Sequence, residues 1–286
     1  MFGFLNIYKP KGMTSHDVVA VLRRLTKIKQ IGHTGTLDPF AEGVLPICIG
    51  KSTRLIEYLA DDKEYLATVQ FGSNTTTYDL EGDIVENFDK KITKTELLAE
   101  LENFKGEISQ LPPIYSAIKV NGKKLYEYAR KGEDVEITPR QVIISKIELK
   151  SFDENSQSAQ ILIACSKGTY IRSIAYDLGK NLKCGGHLTN LIRTKAGNFT
   201  LDNSVNFDNL KQAPETVADH LINPIDVLDL QKIDITDEEH EKVLHGMAIM
   251  NNFENCADFV ILIYNNHISA VGLCNGNKIL IKKVFE

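Results

Sequence analysis

Asp38 stands inside Gly32-His33-Thr34-Gly35-Thr36-Leu37-Asp38-Pro39-Phe40-Ala41-Glu42-Gly43, a stretch of glycines and small hydroxyl residues. Its glycines let backbone pass close to a ligand without Cβ clashes. Pro39 fixes φ immediately after Asp38 and excludes a helix through it. A carboxylate held on such a loop suits covalent or acid–base chemistry, and the same residues also fit a surface Asp-Pro turn. Three other segments carry reactive groups: Lys9-Pro10, Tyr65, and Gly168-Thr169-Tyr170-Ile171-Arg172. In the last, a glycine turn opens a helix with an arginine in its first turn. A cation there opposes the helix dipole, so Arg172 calls for an anion, either Asp38 or a phosphate, unless it simply lies over the surface. Tyr65 is either a half-buried strand aromatic or a stacking platform for a base. Lone histidines such as His33 and His187 read as structural. Gly50-Lys51-Ser52 imitates the end of a phosphate-binding loop, but Leu45 occupies the place of its first glycine, so that cradle cannot form.

These residues need elements to position them. Phe4-Leu5-Asn6-Ile7-Tyr8 reads as a strand entering the turn Lys9-Pro10-Lys11-Gly12. Thr14 and Asp17 fit a capping box ahead of Val18, Val19, Leu22 and Leu25 at helical spacing. After the Asp38 loop come an apolar extended segment, Val44–Ile49, and a helix capped by Ser52 or Thr53. Tyr65, Ala67, Val69 and Phe71 alternate with Glu64, Leu66, Thr68 and Gln70, which predicts a central strand. Asp79-Leu80-Glu81-Gly82-Asp83 reads as a polar turn, Thr93 as the cap of a peripheral helix, and Leu111–Ser116 as extended. Strands are predicted at 142–149 and 159–164, then a helix capped by Thr169 with Ile171, Ile174, Ala175, Leu178 and Leu182 as its core stripe. A connector from about Pro214 to Asp229 leads to a second β-rich region at 260–281, punctuated by Asn/Gly turns. The pattern is α+β: one domain over 1–225, with an insertion at about 72–135, then a small β domain over 230–286.

The 286 residues are 43% hydrophobic and 25% charged, ordinary for a globular chain. The N-terminus does not read as a signal peptide and no apolar run reaches membrane-spanning length, which predicts a cytoplasmic protein. Five widely spaced cysteines without a CxxC or Cys/His cluster predict free thiols and no zinc site. The net charge is −5, yet it is unevenly distributed. Residues 1–54 hold eight Lys/Arg against three Asp/Glu and residues 165–200 six against one, whereas residues 201–286 hold six against fourteen. Two basic blocks in an acidic chain are compatible with phosphate binding, because affinity follows the local patch. They are equally compatible with solvated helix faces.

Taken together, seven segments make the chain resemble the TruB family of tRNA pseudouridine synthases along nearly its whole length. They are Lys9–Ser15, Gly32–Pro39, Lys63-Glu64-Tyr65, Asp79–Asp83, Pro112–Val120, Ser166–Arg172 and Gly185–Arg193, in the family's order. The resemblance implies a mixed, largely antiparallel sheet with flanking helices and a small C-terminal PUA-like domain, with His245-Gly246 and Ala270-Val271-Gly272 at that domain's glycine positions. It implies an enzyme that isomerises a T-loop uridine of tRNA, at tRNA position 55, to pseudouridine, using no metal or cofactor. Asp38 then matches the catalytic aspartate, which attacks the nucleoside or abstracts a ribose proton. Tyr65 matches the tyrosine that stacks on the flipped base and assists deprotonation of C5. Arg172 matches the arginine that pairs with the carboxylate and keeps it charged, while His33, Tyr170, Leu191 and Lys9 match substrate-contacting positions. The expected partner is the T-arm of tRNA, with no membrane and no obligatory protein partner. Two other readings share the cleft: a non-catalytic RNA-folding helper, and the same chemistry on another structured RNA or within a guide-RNA particle. The absence of long Lys-rich tails weighs against the guide-RNA case.

Overall fold

The computed structural model describes residues 1–252, 256 and 258–285. In chain order the elements are β1 (Gly3–Lys9), α1 (Ser15–Thr26), β2 (Ile31–His33), β3 (Glu42–Ile49), β4 (Lys63–Phe71), β5 (Ser73–Thr75) and β6 (Ile84–Asn87). Next come α2 (Lys94–Glu102), β7 (Gly106–Gln110), the short pair β8 (Lys119–Val120) and β9 (Lys123–Lys124), α3 (Leu125–Lys131), β10 (Arg140–Asp153) and β11 (Ser158–Cys165). α4 (Ile171–Asn181), β12 (Gly186–Ala196), β13 (Phe199–Thr200), β14 (Val205–Asn206), α5 (Phe207–Gln212) and α6 (Pro224–Val227) follow. The C-terminal part holds β15 (Gln231–Asp234), α7 (Asp237–Leu244), β16 (Ile249–Met250), β17 (Phe259–Tyr264), β18 (His267–Asn275) and β19 (Lys278–Val284).

The large sheet runs β14-β1-β3-β12-β4-β11-β10-β7. It is antiparallel except where β1 meets β14 and β3 meets β12. Alternation puts Tyr65, Ala67, Val69 and Phe71 of β4 on the buried face, where α2 and α4 cover them. α1 forms as its sequence dictates, with Thr14 and Asp17 bonded reciprocally and Val18, Val19 and Leu22 buried against β1 and β3. The Thr93–Glu96 capping box likewise opens α2.

β12 deserves its register stated in full. It pairs parallel with β3 (Arg193 opposite Gly43) and antiparallel with β4 (Arg193 opposite Tyr65, Leu191 opposite Ala67). Irregularities between Leu188 and Asn190 and between Arg193 and Lys195 bracket this in-register run. α4 packs on β12 through Gly179, where a Cβ would lie 2.2 Å from the backbone of Gly185 and Gly186.

The small sheet runs β15-β17-β18-β19-β16, with Asn265 and Asn266 both at positive φ in the β17–β18 turn. It shares a core with the large sheet: Ile261, Ile263, Val271 and Phe285 pack with Phe4, Val44 and Leu55. Arg54 also donates to the Val284 carbonyl at 2.9 Å, and Lys283 pairs with Glu57.

Three expectations change. The segment after Ile49 is a 3-10 helix, Gly50–Tyr58, with no side-chain cap, because Ser52 donates to the Gly3 and Ile49 carbonyls instead. α4 is not capped by Thr169, whose hydroxyl donates to the Ser166 carbonyl. Gln110 of β7 takes over, accepting from Tyr170 N at 2.8 Å and donating to Tyr170 O at 3.0 Å. Finally, Cys256 and Cys274 are disulfide-bonded while Cys48, Cys165 and Cys184 are free and buried. The bond between Cys274 N and Asp258 O sets Asp258 beside β18, a proximity that sequence spacing does not reveal.

One helix residue makes a pH-dependent prediction. Burial pushes the Asp177 carboxyl of α4 up to about 6 from 3.8. The folded chain therefore keeps a proton that the unfolded chain releases, and this stabilising contribution is lost as pH rises from about 4 to about 6. Asp177→Asn is expected to gain about 1 kcal/mol, roughly 2–3 °C in Tm, at pH 7.5 and nothing at pH 4. Melts of both proteins at the two pH values check this; an equal shift at both would refute it.

Candidate active site

The Asp38 loop links β2 to β3 and is braced from below. Ser15, at the start of α1, donates to Leu37 O and accepts from Leu37 N, at 3.1 and 2.8 Å. Gly12 N donates to Pro39 O at 2.8 Å. Lys9, at the end of β1, is fully buried. Its Nζ donates to Pro10 O at 2.8 Å, Met13 O at 2.7 Å and Pro39 O at 3.4 Å, and burial pulls the ammonium down to about 8. Its head group is consumed by the carbonyls of Pro10, Met13 and Pro39, so Lys9 braces the turn.

The Asp38 side chain, one third exposed, faces a cleft of about 720 Å³. Tyr65, Tyr170, Arg172, Leu191 and Arg193 line the same cleft, as do Tyr115 and Lys63. Arg172 Nε lies 3.0 Å from Asp38 Oδ2, and Nη2 donates to Asp38 Oδ1 at 3.4 Å. The guanidinium is held from two more sides: Nη1 donates to Thr77 O at 3.1 Å and Nη2 to Tyr115 O at 3.0 Å. Asp79 Oδ2 approaches Nη1 at 3.5 Å. Asp79 is buried, with its carboxyl raised chiefly by that burial, and it also accepts from Thr77 Oγ1 and Glu81 N. Arg172 thus bridges an exposed and a buried carboxylate, the arrangement that a planar fork of donors serves best.

Tyr65 is buried, and burial drives its phenol upward. Leu191 stands two residues from Arg193 on β12, so both point into the cleft. Tyr170 lines it from the mouth of α4, its backbone bracketed by Gln110. His33 ends β2 one residue before the lining begins at Thr34; its Nδ1 has no partner, and burial lowers its pKa. Asp79 is a site residue whose sequence shows a polar turn and a family segment but not its pairing with Arg172. Its signal lies in the neighbouring Thr77, which supplies a local hydroxyl, and in Tyr78, whose φ of +63° turns the chain over Arg172. Among the described residues no group of three or more His, Cys, Asp or Glu side chains could hold a metal ion.

Gly43 is required by this geometry. Its φ is +106°, and a Cβ there would fall 2.4 Å from the Arg193 carbonyl. Gly43→Ala is expected to destabilise the fold by about 2–4 kcal/mol in urea titrations. A variant as stable as the parent would show that β3 can back away from β12 at no cost.

A largely antiparallel sheet thus carries a cleft that presents an aspartate clamped to a buried arginine, a site suited to nucleophilic or acid–base chemistry. The family model TruB family pseudouridylate synthase (N terminal domain) matches residues 23–171, and tRNA pseudouridylate synthase B C-terminal domain matches residues 172–228. The chain belongs to the TruB family of pseudouridylate synthases. It is 42% identical to tRNA pseudouridine synthase B of Caldanaerobacter subterraneus subsp. tengcongensis, covering 99% of each chain. Against tRNA pseudouridine synthase B of Carboxydothermus hydrogenoformans it is 45% identical over 100% of this chain and 99% of the relative. A solved structure, a Cbf5-Nop10-Gar1 complex, superposes with a TM-score of 0.74 at 25% identity, covering 100% of this chain and 85% of that one. Among the described residues no helix is long and apolar enough to cross a membrane.

Proposed function

We propose that this enzyme acts in the cytoplasm on tRNA, flipping the T-loop uridine at tRNA position 55 into the cleft and isomerising it to pseudouridine. The observation that carries the reading is Asp38, partly exposed at the cleft and fixed against Arg172. A base stacked in folded RNA cannot reach that carboxylate, so it must be extruded at a cost of a few kcal/mol. Stacking on aromatic side chains returns roughly 1–3 kcal/mol per base, and Tyr65 and Tyr170 line the cleft to provide it.

Asp38 attacks the ribose or removes one of its protons as the N1–C1′ bond breaks, its electron pair staying with uracil. The detached ring turns between Tyr65 and Leu191, and C5 bonds to C1′ as the Asp38–ribose bond breaks or as Asp38 returns the proton it took from the ribose. The C5 proton then leaves to a base, and Tyr65 is the side chain placed to assist. His33 and Tyr170 contact the RNA, residues 230–286 form a PUA-like unit, and no protein partner is needed. The test is direct: purified protein is incubated with an unmodified tRNA transcript, and pseudouridine is mapped at single-nucleotide resolution. Conversion confined to the T-loop uridine supports the reading. Conversion elsewhere, or binding without conversion, would end it.

A further inference from the structure

Arg193 has the largest fully buried side chain among the described residues, 1% exposed, and the chemistry above does not use it. Its guanidinium donates to three backbone carbonyls: Val44 O from Nε at 2.7 Å, Thr36 O from Nη1 at 3.2 Å and Gly35 O from Nη2 at 3.1 Å. Gly35 and Thr36 lie just before Asp38, and Val44 lies just after the loop re-enters β3. Arg193 therefore closes the neck of the catalytic loop from both arms. Nη1 also stands 3.9 Å from the position that a Cβ on Gly35 would take, beside the Lys63 Cε at 3.8 Å, so the loop is pressed against two cations.

Among the described residues no carboxylate forms an ion pair with Arg193. Burial first, and the Arg193 charge after it, lowers the pKa of Lys9, His33 and Lys63, all cationic or neutral neighbours. A buried cation without a counter-charge is expensive, by several kcal/mol, even when its protons find carbonyls. Ser15 and Gly12 brace the same loop with neutral groups and Lys9 braces it with a second buried cation, but of these braces it is Arg193 that stands opposite Tyr65. The group that gains from the charge is Tyr65. It faces Arg193 across the β4–β12 register, and both residues line the same cleft. Burial drives the phenol upward, and Arg193 is the strongest influence pulling it back toward the phenolate.

We infer that Arg193 is a positioning residue that couples the two reacting side chains, stapling the neck of the Asp38 loop and holding the Tyr65 oxygen ready to receive the C5 proton. This rests on the proposed isomerisation. After C5 has bonded to C1′, the C5–H bond must break, its electron pair restoring the ring's conjugation and its proton passing to the Tyr65 oxygen, whose own phenol proton leaves to water in the open cleft. A neighbouring cation with no carboxylate of its own favours that oxygen as an acceptor.

The test compares the full-length protein with Arg193→Gln and Arg193→Lys. Single-turnover rates are measured on a tRNA carrying uridine or 5-fluorouridine at the target; the fluorinated ring has no C5 proton to remove. For Arg193→Gln we expect tRNA affinity within about threefold of the parent and a rate on uridine lower by about 100-fold or more. The deficit on 5-fluorouridine should be at least tenfold smaller (about one decade, the share of the loss owed to proton removal). Arg193→Lys keeps the charge but cannot reach three carbonyls; it should restore the Tyr65 environment without restoring the rate. That environment is read without turnover by fluorine NMR of fluorotyrosine-labelled protein, with Tyr65 assigned by Tyr65→Phe. Its resonance should titrate at higher pH in Arg193→Gln than in the parent. A folded Arg193→Gln at the parental rate would overturn the inference. So would equal deficits on both substrates with an unmoved Tyr65 resonance, which would leave Arg193 as a loop brace alone. If the parent itself makes no pseudouridine, the proposed function fails, while the fluorine titration still decides whether Arg193 governs Tyr65.

Discussion

Asp38→Asn is expected to lower single-turnover pseudouridine formation by at least about 10⁴-fold, because the amide can neither attack the ribose nor take its proton. The fold should be untouched. Asp38 is one third exposed, and its carboxylate accepts from Arg172 Nη2 at 3.4 Å. Arg172 keeps Asp79, Thr77 O and Tyr115 O when the charge at 38 is removed. We expect Tm within about 2 °C of the parent, the usual range for a substitution that leaves buried groups paired. Binding of tRNA should be unchanged or slightly tighter, since one negative charge leaves a surface that must meet phosphates. The assay is release of C5-bound tritium from labelled tRNA over hours, alongside a filter-binding titration. Turnover within about 100-fold of the parent would remove Asp38 from the chemistry.

Arg172→Lys should lower kcat at least about 100-fold while KM changes less than about fivefold. One ammonium cannot meet Asp38, Asp79 and the carbonyls of Thr77 and Tyr115 together, as the guanidinium does. Some stability is lost as well, about 1–3 kcal/mol, because the Asp79 carboxylate and two carbonyls lose donors in a buried place. The chain should nevertheless fold at 25 °C with tRNA affinity retained. A steady-state series with a thermal melt separates the outcomes: a melt showing no folded protein would make Arg172 a structural residue first.

The parts of this site that the sequence exposes are those written in local chemistry. The glycines and Pro39 around Asp38 show where backbone can meet a ligand, the alternation around Tyr65 shows a strand, and the glycine turn before Arg172 shows a helix start. The capping boxes at Thr14 and Thr93 are legible for the same reason, being closed within four residues. What escapes is whatever depends on a distant segment. Asp79 looks like a solvated turn residue until α4 places Arg172 beneath it. Lys9 looks like a free cation at the rim until the Pro39 carbonyl arrives from thirty residues away. Thr169 looks like a cap until Gln110, sixty residues earlier, takes the Tyr170 amide. Arg193 is the extreme case: nothing in an arginine at the end of a family motif says that its donors are spent on carbonyls on both sides of the catalytic loop.

The two irregularities in β12 set where this protein can change length over evolutionary time. An added or lost residue outside the bracketed run can be absorbed by widening or erasing a bulge. Between Asn190 and Arg193 there is no such slack. One extra residue between Asn190 and Leu191 would turn Leu191 and Arg193 to the opposite face of the sheet together. The strand would still be apolar enough to pair, and the protein could remain folded with its cleft emptied of both side chains. Selection on activity, and hardly at all selection on stability, should therefore hold that four-residue window to a single length, while insertions accumulate freely around it.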